Sequence, residues 1–89
     1  MTIQPDSIVL VIIDRLNKNS HPYGIRTLVN RCCLADKTIS KAIKRLEGAG
    51  KLRVFRGEPG TRHEYVVLQP PDEIDQLAAS IHLGERMKV

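Results

Sequence analysis

Eighty-nine residues, 42% of them hydrophobic, suit one domain with one core and leave no room for a multi-domain enzyme. One Phe, two Tyr and no Trp leave aliphatic side chains to fill that core, which favours a mostly helical domain. The net charge of +4 hides an asymmetry: residues 26–62 carry ten basic groups against three acids, a net of +7, while residues 1–25 sum to zero and 63–89 to −3. A basic middle between neutral and acidic flanks points to a polyanionic partner, against the plainer alternative of a solvated basic face.

The first apolar run, Ile8 to Ile13, is too short to span a bilayer and lacks the flanks of a secretion signal, so the chain is expected to be soluble, cytoplasmic and without a membrane partner. Its β-branched content suits a buried strand, but helical spacing decides for a helix over Asp6 to Leu16. Ile8, Val9, Ile12, Ile13 and Leu16 then share one arc, whereas Leu10 and Val11 fall outside it, as exposed residues or as a contact with another subunit. Asn17 to Pro22 reads as a polar loop.

Gly24 can cap a short helix from Ile25 to about Cys32, with Ile25, Leu28 and Val29 inward, and a turn follows at Cys33 to Ala35. Cys32 and Cys33 are neighbours and cannot easily pair, so both are expected as free thiols. Ile39, Ala42, Ile43 and Leu46 repeat at the spacing of an amphipathic helix over Asp36 to Glu47, which stops at Gly48-Ala49-Gly50. Leu52 to Arg56 and Glu64 to Leu68 read as strands around a Gly- and Pro-bearing loop, a hairpin. After Pro70-Pro71, Asp72 is a good N-cap for a last helix to Leu83 with an apolar stripe of Ile74, Leu77, Ala78 and Ile81.

The segment from Leu28 to Leu68 resembles the winged-helix families of DNA-binding proteins, including MarR-like regulators and the winged domains of phage replication proteins. The resemblance rests on Leu28-Val29, the Cys33-Leu34 turn, Thr38-Ile39-Ser40, Arg45-Leu46-Glu47, Gly50, Leu52 and Tyr65-Val66-Val67-Leu68. It implies an α+β, mostly α, winged helix-turn-helix with a two-stranded wing and a C-terminal helix, in which Asp36 to Glu47 is the recognition helix. Two departures stand out. Cys33 occupies the usual turn-glycine position, so the turn must avoid a positive φ or bear strain. Ala35 occupies a common cap position, leaving Asp36 as cap or first-turn acid.

With its apolar face buried, the recognition helix presents Lys37, Lys41 and Lys44, with Thr38, Ser40 and Arg45 at the margins, to a major groove. Arg26, near the start of the second helix, and Arg53, Arg56 and Arg62 of the wing complete the candidate DNA contacts, Arg62 aimed at a minor groove. Arg53 and Arg56 have opposite strand parity and cannot share a face unless the strand bends. The expected function is sequence-specific duplex DNA binding in transcriptional control. A replication or partition factor and a winged-helix protein adaptor are the alternatives.

Cys32, Cys33, His63 and His82 do not match zinc-ligand spacing, and a thiol filling the turn outweighs an oxidant sensor. No phosphate loop, nucleophile elbow or carboxylate pair is present, so neither catalysis nor a cofactor is expected. The surplus apolar residues of the first and last helices predict a homodimer held by both, the alternative being that the last helix packs back on the first of its own chain.

Overall fold

The computed structural model describes residues 4–19, 23–56 and 63–84. The first helix, α1 (Pro5–Lys18), starts with Pro at a position where its missing N–H is not needed and Asp6 in the first turn, where a negative charge suits the helix dipole. It runs through Asn17 and Lys18, past the expected loop start, and Lys18 closes an i,i+4 pair with Asp14 at 3.1 Å. Every side chain from Ile8 to Ile13 is buried, with Leu16.

That corrects the one-sided reading of this helix: Leu10 and Val11 are 1% and 0% exposed within the single chain. A helix apolar on all sides is a buried helix. The other three helices and one strand pack around α1.

Helices α2 (Ile25–Cys32) and α3 (Asp36–Gly48) are joined by a three-residue connection. Cys33 takes a left-handed conformation there, φ 55° and ψ 40°, so the turn keeps the geometry of a glycine without having one. Ala35 is the N-cap of α3 and Asp36 its first-turn acid. Ile39, Ala42, Ile43 and Leu46 face the core beside Leu28 and Cys32. At the far end Gly50 has φ 74°, and the amides of Gly50 and Lys51 donate to the carbonyls of Glu47 and Leu46. This is a Schellman closure, which turns the chain directly into the first strand.

Strands β1 (Leu52–Phe55) and β2 (Glu64–Val67) pair antiparallel, Leu52 opposite Val67 and Val54 opposite Tyr65. Leu52 and Tyr65 are buried and Val54 and Val67 half-buried, while Arg53, Phe55, Glu64 and Val66 face outward. Each strand is one residue shorter than expected, Arg56 and Leu68 lying just beyond.

Helix α4 (Glu73–Leu83) begins with a full capping box: the Asp72 carboxylate accepts from the Asp75 amide at 2.8 Å, and the Asp75 carboxylate from the Asp72 amide at 3.2 Å. The other oxygen of Asp75 accepts from Ser7 Oγ at 2.7 Å, tying the start of α4 to the start of α1. At the other end His82 Nε2 donates to the Cys32 carbonyl at 2.8 Å, and Gly84 caps the helix at φ 68°. Two alanines, Ala78 and Ala79, are buried where α4 lies on α1, small enough to let the helices approach.

This overturns the expected role of α1 in a dimer, not that of α4. The apolar surface of α1 is covered by its own α4, whereas Ile74, Leu77 and Ile81 point to solvent, 66%, 39% and 57% exposed; only Ala78 of the expected stripe is buried. The result is a small α+β arrangement, mostly helical, with four helices and one two-stranded sheet among the described residues. None of those helices is long and apolar enough to cross a membrane.

Candidate functional site

Burial of Ile39, Ala42, Ile43 and Leu46 dictates what α3 shows to solvent. Lys37, Lys41 and Lys44, spaced four and three residues apart, are all exposed, and among the described residues none forms an ion pair. The rise of a helix puts the first and last of them about 10 Å apart along the axis. Ser40 is exposed on the same side and reaches toward Asp36 at a long 3.4 Å; Thr38 is half-buried. Arg26 is exposed in the first turn of α2, where Gly24 is the N-cap and no side chain caps the free amides. Orphan amides and a helix N-terminus favour an anion there.

Of the remaining candidate arginines, Arg45, Arg53 and Arg56 have intramolecular partners. Arg45 makes a forked contact with Asp6, Nη2 to Oδ1 at 2.7 Å and Nε to Oδ1 at 2.9 Å, because its edge of α3 borders the start of α1. Arg56 Nη2 binds Glu47 Oε1 at 2.8 Å, which joins the end of β1 back to α3. In each case the carboxylate hydrogen bond holds the guanidinium charged and raises its pKa further. Arg53 lies on the outer face of the hairpin with its guanidinium 5.1 Å from the Phe55 ring centre. Arg53 and Arg56 thus point to different sides, as strand parity requires. Arg62 lies outside the described residues.

Between the start of α2, the middle of α3 and the hairpin is a cleft of about 420 Å³. Ile25, Ile43, Val54 and Tyr65 form its apolar floor; Ser40, Lys44, Arg56 and His63 surround it. This grouping is not legible in the sequence, because Gly24, Lys44 and Tyr65 come from three separate segments.

Tyr65 is held from below. Its ring stacks on Tyr23 at 5.7 Å and meets His63 edge-on at 6.5 Å, while its carbonyl accepts from Asn17 Nδ2 at 2.9 Å. Tyr23 in turn donates its hydroxyl to Asn17 Oδ1 at 2.7 Å. Burial, and then the neighbouring Tyr65, push Tyr23 up to about 12; burial also raises Tyr65. Asn17, expected in a loop, is therefore the residue that fastens the hairpin to the end of α1.

Both thiols are free, Cys32 buried and Cys33 exposed. Burial, reinforced by Cys33, pushes the Cys32 thiol up to about 12, so it remains protonated and acts as a small core residue. Among the described residues no three His, Cys, Asp or Glu side chains gather in a metal-sized group.

The geometry therefore gives a lysine row without an ion pair among the described residues, Arg26 in the first turn of α2 and a cleft rimmed by Lys44 and Arg56, while Arg45, Arg53 and Arg56 have intramolecular partners. Comparisons with protein-family models, with curated proteins and with solved structures find no match.

Proposed function

We propose that this chain is a winged-helix protein that binds duplex DNA sequence-specifically in transcriptional control, with α3 in the major groove and the hairpin against the adjacent backbone or minor groove. The observation that carries this reading is the row of Lys37, Lys41 and Lys44, exposed and without an ion pair among the described residues, on a helix whose other face is locked into the core. Lysines held without internal acids are available to phosphates and to guanine O6 and N7, and a single helix fits the major groove. Ser40 stands between them for a base or phosphate contact, and Arg26 with the first amides of α2 suits a flanking phosphate. Arg45 and Arg56 serve this reading indirectly, by fixing α3 against α1 and the hairpin against α3.

Site selection from random duplex DNA, followed by titration at several salt concentrations, tests the proposal. An enriched sequence and a log-log salt slope of about −0.9 per phosphate contacted are expected. Replacing Lys37, Lys41 and Lys44 together with Ala should flatten that slope, and should relax base preference by roughly 1 to 3 kcal/mol for each lysine that reads a base edge. Salt-insensitive binding, or unaltered site selection in the triple variant, would overturn it. The exposed Phe55, Val66 and Leu68 would then favour the adaptor reading, in which the hairpin meets a protein.

A further inference from the structure

We propose that the lysine row of α3 selects guanine: the core of the target is a run of about three or four base pairs with at least two guanines, read through O6 and N7 in the major groove. The inference rests on the DNA-binding reading and deepens it, from the binding of a sequence to the content of that sequence.

At about 100° per residue, Lys37, Lys41 and Lys44 fall within roughly 60° of one another, so they stem from one line along α3. All three are exposed, and among the described residues none has an ion pair. Gly48 falls on the same line, and a Cβ there would meet nothing within 4 Å, so the row runs out into open space at its C-terminal end. The rise of the helix separates Lys37 from Lys44 by about 10 Å, while stacked base pairs follow one another every 3.4 Å or so. The row therefore faces about three base-pair steps.

Donor and acceptor patterns then choose the base. An ammonium has three donors and no acceptor. Guanine alone presents two acceptors and no donor in the major groove; adenine sets its N6 donor beside N7, thymine has one acceptor beside a methyl, and cytosine has only a donor. A line of donor-only side chains is complementary to guanine and opposed to cytosine.

The groups that read the other bases are missing from the row. Helix α3 contains no Asn or Gln to pair with adenine. Glu47, which could accept from cytosine, is engaged by Arg56 at 2.8 Å, and Asp36 stands about 100° round the helix from Lys37. Ala42, small and apolar enough for a thymine methyl, is buried. Ser40 is exposed beside the row and carries both a donor and an acceptor, so it suits any base.

Site selection from random duplexes with the full chain should enrich a core with at least two guanines. Each guanine is then replaced in turn by 7-deazaguanine, which keeps O6 and the base pairing but has a C–H in place of N7. In a second series each is replaced by inosine, which keeps N7 and O6 and loses only the minor-groove amino group. The first change should weaken binding about fivefold or more at each guanine the row reads, and the second by less than about twofold. Lys37→Ala and Lys44→Ala should each abolish the 7-deazaguanine penalty at one guanine while leaving the helical circular dichroism intact. An enriched core without guanine, or 7-deazaguanine bound as well as guanine at every position, would overturn the guanine reading and leave sequence-specific binding standing. A greater loss with inosine than with 7-deazaguanine would do the same by moving the readout to the minor groove, and penalties unaltered in both lysine variants would take it away from the row. Binding with no enriched sequence, or no binding to duplex DNA, would overturn both readings.

Discussion

At the scale of single residues, Cys33 is where the chain departs furthest from the conformation its side chain prefers. A left-handed φ of 55° costs a residue with a Cβ on the order of 1 kcal/mol, and its thiol makes only a long 3.7 Å contact with the Asn30 carbonyl. Cys33→Gly should therefore raise stability by about 0.5 to 1.5 kcal/mol, the gain being limited by the greater freedom of glycine in the unfolded chain. Urea unfolding should show a higher midpoint at an unchanged slope.

Cys32 and Tyr23 set an alkaline limit on the fold. Both lose a proton to become anions, and both are raised in the folded chain to about 12, from ordinary values of 9.0 and 10.0. The folded state thus holds these protons more tightly, so their contribution is complete below pH 9 and is lost as pH rises toward 12. Unfolding midpoints should fall progressively across that window, and Cys32→Val should flatten the fall by removing the thiol's share. Alkylation of the native chain should modify Cys33 alone, Cys32 reacting only in denaturant.

At the scale of elements, α4 is positioned by small residues and by its ends. Ala79 is fully buried where α4 lies on α1, and Ala78 nearly so, which leaves no space for a longer side chain. Ala79→Leu should destabilise the chain by about 1 to 3 kcal/mol through overpacking. Asp72→Ala should cost roughly 1 kcal/mol by removing the cap. Thermal unfolding of the two variants checks both, and the second should leave α1 to α3 packed. The same logic explains why α1 can be apolar on every side: it is the helix around which α2, α3, α4 and β2 gather, so each of its faces has a neighbour.

At the scale of the whole molecule, the described cations fall into two groups with different expected consequences for the proposed DNA complex. Lys37, Lys41 and Lys44 make no ion pair among the described residues; Arg45 and Arg56 are engaged by Asp6 and Glu47. Lys41→Gln should reduce the magnitude of the salt slope by about 0.9 if its ammonium meets a phosphate. Arg45→Gln should leave the slope unchanged, because the guanidinium it removes is already neutralised within the fold. Titrations of both variants over the same salt series separate the groups, and equal losses of slope would place Arg45 on the DNA after all.

Local periodicity and turn chemistry by themselves determined the order of the elements, the helical face of Ile39, Ala42, Ile43 and Leu46, the hairpin and the cap at Asp72. These features depend on residues within a few positions of one another. Local periodicity left open whether Cys33 would take a positive φ, which the structure sets at 55°. Tertiary structure alone decided which arginines are paired, as Asp6 and Arg45 are 39 residues apart and meet only because α1 lies across α3. It decided equally that Leu10 and Val11 are covered while Ile74 and Ile81 are open. A helical wheel shows which residues share a face, but the number of neighbours a helix has, and hence which of its faces meets water, is set by how the other elements pack around it.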